Sequence, residues 1–308
     1  MHKFLKKFIP ILMLTFTFAY CGKSDLSSSK DYFPNWVSSV VSLDISKLTS
    51  IPIVKSLLNQ EKAKSIIEEM ENETGIKLNN IKKFTLGTDD GKKFVAKLSV
   101  DFNKEKIINF FEKKDNKFLP PNIKKEGEKD GLIIYSSIKN LKFAFDNGKN
   151  IFVSSQLDDV LNVLSGKEKG ALTTNNNLLN SIKKVSDYHV WLVVNVTEKM
   201  IADIPFGQKE IIDSLRSIQS IQAGANYDGS IKIVAFAVAN DKEKAGSMKQ
   251  QLDSALLFAQ MFIKQMKIDI KTNTSQSGNI IELKVDISKD TIENVLPKIL
   301  EKIGGGLF

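Results

Sequence analysis

Beyond residue 31 the chain alternates between two hydrophobic periods, close to 2 for strands and 3.6 for helices. Positions 37–45 are apolar and β-branched and predict a strand, which runs through Leu43-Asp44-Ile45 into a helix capped by Ser46. Ile53, Val54, Leu57 and Leu58, then Ile66, Ile67 and Met70, keep helical spacing until Gly75 ends it. Two alternating runs, 81–88 and 93–102, meet at Asp89-Asp90-Gly91, and Asp-Gly between such runs predicts a hairpin. Asn103 then caps a helix with Ile107, Ile108, Phe110 and Phe111 on its apolar side. Residues 116–130 are polar, include Pro120-Pro121, and read as a loop. Short strands follow at 132–136, 141–145 and 151–154, with Asp146-Asn147-Gly148 turning between the last two. Ser155 opens a helix to Leu164, with Asp158 as the first-turn acid of a capping box. The polar stretch 166–177 reads as a connector.

The second half repeats that order. A strand over 189–196 ends Val194-Asn195-Val196-Thr197, where the first half has Leu43-Asp44-Ile45-Ser46. The runs 218–227 and 230–239 meet at Asp228-Gly229. Twelve residues beyond Gly91 stands Asn103-Lys104-Glu105-Lys106, and twelve beyond Gly229 stands Asp241-Lys242-Glu243-Lys244. The helix after Asp241 is long, and Ala245, Met248, Leu252, Ala255, Leu256, Ala259, Phe262 and Ile263 form a stripe expected to face the core. The same helix, with Met248, Met261, Phe262 and Met266, also suits an adaptable groove for an apolar ligand. Strands at 266–274 and 279–287 pair around Ser277-Gly278. Ser288, Asp290 and Thr291 open a last helix over 292–303, which Pro297 kinks or shifts and Gly304-Gly305-Gly306 stops. The expected fold is α+β: two copies of a β-α-β-β-α-β-β-α module, at 32–168 and 178–306, joined at 169–177. Their strands form mainly antiparallel sheet covered by helices.

The first twenty-one residues follow a different logic. Lys3, Lys6 and Lys7 form a basic head, an apolar run extends from Phe8 to Tyr20, and Cys21 is the only cysteine. The run is about thirteen residues where a membrane span needs about twenty, so it is expected to be cut off rather than kept. The segment Phe18-Ala19-Tyr20-Cys21 resembles the lipobox of bacterial lipoproteins, although that family places a small residue where Tyr20 stands. The resemblance implies a signal peptide at 1–20, cleavage before Cys21, and diacylglycerol on its thiol. It further implies an acylated amine, and a protein held on a membrane of the cell envelope, at the outer membrane or the periplasmic face. The plainer alternative is an ordinary signal that happens to end in a small apolar residue. Two acyl chains would hold the body stably where one holds it reversibly. Residues 22–30 are polar and serine-rich, as a flexible tether at 21–31 would be, and Tyr32, Phe33 and Trp36 are placed to dock the chain onto a core.

Composition narrows the chemistry. At 42% apolar and 26% charged, the chain can bury a core. The net charge is +8, of which the signal supplies three lysines, and Arg216 is the one arginine. Bidentate readout of phosphate or guanine favours arginine, and no lysine cluster is interleaved with aromatics, so no nucleic-acid partner is expected. With one cysteine and, after cleavage, one histidine (His189), a Cys/His zinc site is excluded. Neither a Gly-x-Ser-x-Gly elbow nor a P-loop nor a Gly-x-Gly-x-x-Gly turn occurs. His189, at a strand end beside Tyr188 and Trp191, reads as a packing residue. The pairs Asp89-Asp90 and Asp158-Asp159 suit a turn and a helix start better than calcium or acid–base work. Asp44 and Asn195 end equivalent strands and read as turn and cap residues. No catalytic residue, cofactor or metal is therefore expected, and Cys21, as a lipidation site, is the one residue assigned chemistry. The leading reading is a non-enzymatic, lipid-anchored binding or scaffolding protein with a protein or apolar-ligand partner. The alternatives are a carrier of an acyl chain or other apolar ligand, and an exported hydrolase whose acids converge only in the fold.

Overall fold

The computed structural model describes residues 31–89, 92–114, 116–138, 140–202, 209–265 and 268–295. The expected signal, Cys21, most of the expected tether, Asp90-Gly91, Met266 and the expected last helix beyond 295 lie outside the described residues. The described chain is α+β with antiparallel sheet, and it divides into two compact units between Leu179 and Asn180.

In the first unit β1 (Ser39–Asp44) leads to the helices α1 (Ile45–Leu48), α2 (Pro52–Leu58) and α3 (Glu61–Thr74). The hairpin β2 (Ile81–Thr88) and β3 (Phe94–Val100) follows, then α4 (Lys104–Glu112) and four strands: β4 (Lys124–Lys129), β5 (Leu132–Ser136), β6 (Lys142–Phe145) and β7 (Asn150–Ser154). The strands lie in the order β1-β2-β3-β7-β6-β5-β4, each antiparallel to its neighbours. Alternation decides what packs where. Ile133, Tyr135, Phe143 and Phe145 share one face and pack with Ile107, Phe110 and Phe111 of α4. Phe111 stacks on Tyr135 at 4.8 Å and on Phe145 at 5.6 Å between ring centroids. Full burial of such a side chain contributes about 1.5–3 kcal/mol, so this aromatic cluster anchors α4. Against β6 and β7 packs α5 (Leu157–Leu164), and α6 (Ala171–Thr174) follows.

The second unit takes in most of α7 (Asn176–Val185), then β8 (Val190–Asn195), α8 (Glu198–Ala202), α9 (Lys209–Arg216), β9 (Ile218–Tyr227), β10 (Ile231–Ala239), the 24-residue α10 (Lys242–Gln265), β11 (Ile270–Ser277), β12 (Ile280–Ile287) and a π-type turn at Thr291–Val295. Its strand order is β11-β12-β10-β9-β8, with antiparallel pairing. Helix α10 lies along β11 and β12, and Ala245, buried with Ala239 and Ile281, marks where it seats.

Four expectations need correcting. The helix after β1 is capped by Asp44, whose Oδ1 accepts from Lys47 N at 3.1 Å; Ser46 instead donates its hydroxyl to the same carboxylate at 2.7 Å. Likewise Ser155 does not cap α5: its Oγ accepts from Phe94 N at 3.1 Å, and Gln156 takes the cap position without a side-chain bond. The polar stretch 116–130 holds strand β4, because Asp130 and Gly131 both adopt positive φ (52° and 78°) and turn it back onto β5. Charged residues suit β4 because it is the last strand in its unit's order, where lysine and glutamate discourage further pairing. The stretch 169–177, read as a connector, contains α6 and the start of α7, with Ala171 buried. Asp31 holds it, accepting from Phe33 N at 3.1 Å and Leu172 N at 3.0 Å, and Gly170 is needed because a Cβ there would run into the Asp31 carboxylate. Finally Phe262, expected in the core, is exposed.

Candidate functional site

The acids singled out by sequence go to separate structural tasks. Asp89 Oδ1 accepts from Lys92 N and Lys93 N, each at 2.9 Å, and so holds its turn. Neighbouring Asp158 and Asp159 take different partners: Lys142 Nζ at 3.1 Å and Trp36 Nε1 at 2.8 Å. Burial alone would lower the Lys142 pKa, but its bonds to Asp158 and Glu126 outweigh that and raise it. Asp228 accepts from Lys232 Nζ and from Ser230, contacts that hold its carboxyl below the ordinary value. His189 is buried immediately before β8. Among the described residues no group of three or more His, Cys, Asp or Glu is placed to hold a metal ion.

An open cleft of about 520 Å³ lies beside α2 and α3, lined by Lys55, Asn59, Lys64, Glu68, Glu71 and Lys77 among others. Its two acids are engaged. Glu68 pairs with Lys64 at 3.7 Å, and Glu71 Oε1 accepts from Leu78 N at 2.8 Å.

The surface that stands out is apolar. In the second unit, strand register puts Leu192 and Val194 of β8, Ile221 and Ala223 of β9, Ala235 of β10 and Leu283 of β12 on one face. All six are only half-buried. Thr274, opposite Leu283, accordingly bonds Asp253 of α10 from that face. The reverse face of β8, β9 and the middle of β10 is closed: Trp191, Val193, Ser220, Gln222 and Val234 are buried. Gln222 there donates to Ser181 of α7 at 3.0 Å.

The first unit shows the same asymmetry. Val41, Phe84, Leu86, Ala96 and Leu98 share a half-buried face, while Val40, Ser42, Thr85 and Val95 on the reverse are buried. This face continues through Ile151 and Val153 into the aromatic cluster under α4. Each unit thus closes one face of its sheet and leaves a stretch of the other partly open, with a helix along its border. Such a surface can bind an apolar ligand or a protein face by area, with few polar groups to set orientation.

Periodicity did not announce these faces. In a strand, alternation separates two faces, and here the closed faces themselves carry Ser42, Thr85, Ser220 and Gln222, so polarity does not say which face the helices close. Helix α10 carries a second surprise, because Leu257, Phe258, Met261 and Phe262 point outward. Among the described residues no helix is long and apolar enough to cross a membrane.

No protein-family model matches the chain, and no curated protein matches it. It is similar to a solved structure, "Structure of crystal form I of TP0453", with 9% identity and a TM-score of 0.47, over 88% of this chain and 98% of that one. A likeness at that level transfers no function.

Proposed function

We propose that this chain is a lipid-anchored protein of the bacterial cell envelope with a non-enzymatic binding or scaffolding role. In this reading residues 1–20 are removed, Cys21 carries the lipid, 21–31 tether the body, and the membrane lies at the outer membrane or the periplasmic face. The half-open apolar sheet face in each unit carries the binding half of the reading: it offers contact area where the singled-out acids serve turns, caps and ion pairs. The anchor rests on the signal and on Cys21 being the single cysteine. The near absence of arginine argues against nucleic acid as the partner.

The body is read as two copies of one module, and register supports it. Val40 of β1 stands opposite Gly87 of β2, and Trp191 of β8 stands opposite Gly224 of β9. Both glycines lie under an aromatic ring from the segment before the module's first strand, Phe33 and Tyr188 respectively. The helix caps agree as well: Asn103 Oδ1 accepts from Lys106 N at 2.9 Å, and Asp241 Oδ1 from Lys244 N at 2.8 Å. The orders β1-β2-β3-β7-β6 and β8-β9-β10-β12-β11 correspond strand for strand, the first copy adding the hairpin β4–β5.

A second reading follows from the same faces: carriage of an acyl chain or another apolar ligand. Mass spectrometry of extracts from the purified body, expressed without its signal, tests it. A co-purifying lipid near one per chain, lost on Ala223→Glu, is the expected result for a carrier. Extracts free of lipid favour binding of a protein face and count against carriage.

A further inference from the structure

The closed face of the first unit's sheet turns polar at one end, and two lysines stand there. Lys83 of β2 lies opposite Asp44 of β1 and Ser99 of β3, and Lys97 of β3 lies opposite Thr85 of β2 and Phe152 of β7. Alternation puts Lys83, Lys97 and Ser99 on the same face as the buried Ser42 and Thr85. It also makes the two lysines diagonal neighbours, about 7–8 Å apart at the backbone. Both are half-buried. We propose that Lys83 and Lys97 form a binding site for a phosphate group, free or carried on a larger molecule.

Partly burying an ammonium group costs free energy unless an anion pairs with it. Among the described residues no carboxylate forms an ion pair with Lys83 or Lys97. Lys97 Nζ is held instead over two rings, 4.8 Å from the centre of Tyr32 and 5.7 Å from that of Phe152, contacts that fix its place and leave its charge without a counter-ion. The acids nearby turn to the backbone. Asp44 Oδ1 accepts from Ser46 Oγ at 2.7 Å and Lys47 N at 3.1 Å. Asp146 accepts from Lys149 N at 2.7 Å and Asn150 N at 2.9 Å on one oxygen, and from Asn150 Nδ2 at 2.6 Å on the other. Both acids therefore act on the lysines only from a distance. Burial lowers the pKa of Lys83 against the pull of Asp44, and Lys97 lowers it further; burial likewise lowers that of Lys97 against Asp146. A phosphate dianion matches the two ammonium groups in charge, and N–H···O bonds of about 2.7–2.9 Å from each can meet on one phosphate between diagonal neighbours. Lysine serves phosphate as a point charge where arginine serves it as a fork. Ser99, opposite Lys83 and two residues from Lys97, adds a hydroxyl on the same face. The site lies on the other side of the sheet from the half-open apolar surface, so it stands apart from the binding role proposed above.

Calorimetric titration of the full chain with inorganic phosphate, at constant ionic strength, tests the site. The expected result is one saturable site in the unchanged chain, weakened at least about tenfold by Lys83→Met and by Lys97→Met. Lys55→Met with Lys77→Met, which changes two lysines of the open cleft instead, should leave it as it was. Repeating the titration with glycerol 3-phosphate separates the sources. Binding tighter than that of inorganic phosphate assigns the site to a phosphate ester such as a lipid headgroup, and equal or weaker binding assigns it to the free ion. No saturation below about 10 mM phosphate, equal binding of acetate, or a loss shared by the cleft variant overturns the proposal. A second measurement needs no variant and so does not depend on how the variants fold. In the unchanged chain, phosphate should slow acetylation of Lys83 and Lys97 by acetic anhydride, read by peptide mass spectrometry, and leave Lys55 and Lys77 as reactive as before. Equal reactivity of Lys83 and Lys97 with and without phosphate also overturns it.

Discussion

Gly87 and Gly224 are needed for space rather than for turns. A Cβ on Gly87 would stand 2.7 Å from the Phe33 ring, and one on Gly224 would run into the ring of Tyr188. Gly87→Ala and Gly224→Ala are each expected to destabilise by about 1–3 kcal/mol, as overpacking does, measured by urea unfolding. A glycine-to-alanine change tolerated at both sites would remove the register argument for two equivalent modules. Lys97 gives a pH-dependent prediction. It lies over the Tyr32 ring at 4.8 Å and the Phe152 ring at 5.7 Å, and burial pushes its pKa below the ordinary 10.5, with the charge of Asp146 opposing. Because the folded value is the lower one, the unfolded chain holds more protons between the two values, and stability rises with pH through that window. Lys97→Met should therefore unfold at higher urea than the parent at neutral pH, and the gap should narrow as pH climbs toward the ordinary lysine value. A gap that does not change with pH would show that Lys97 acts through packing alone.

At the scale of elements, the two caps that follow the central hairpins were the legible part, whereas those expected at Ser46 and Ser155 were not. Asn103 and Asp241 cap their helices as their spacing from the hairpin turns suggested, and Gly75 ends α3 in the left-handed conformation. Asn103→Ala and Asp241→Ala are each expected to cost about 1 kcal/mol in thermal or urea unfolding, since each strips one helix N-terminus of its side-chain acceptor. Little loss in either would mean that the first turns are held by packing. Strand β4 was missed although Asp130-Gly131 carries the same turn signal as Asp228-Gly229. Its residues, Lys-Lys-Glu-Gly-Glu-Lys, have no apolar alternation, because an edge strand can leave both faces to solvent. Asp31 escaped notice for another reason: its partners Leu172 and Thr173 are 141 and 142 residues away, and no local pattern encodes such a contact. Helix α10 was misjudged at Phe262. Over 24 residues its apolar positions form an inward stripe around Ala245, Met248 and Leu252 and an outward one around Phe258 and Phe262, which a single periodicity merges.

For the whole molecule, the α+β class and the antiparallel sheet followed from the alternation of strand and helix periods. The half-open apolar faces did not, because the closed faces carry polar residues such as Ser42, Thr85 and Gln222, and alternation alone does not say which face the helices cover. A body with such faces gains from being fixed at a surface. Tethering at Cys21 would concentrate both units against one membrane without a spanning helix. The central claim is this anchor, and metabolic labelling with a radiolabelled fatty acid measures it directly in cells expressing the parent or the Cys21→Ala variant. The account predicts label on the parent and none on the variant, with the variant retaining its uncut signal. Equal labelling of the two, or no label on either, would contradict it.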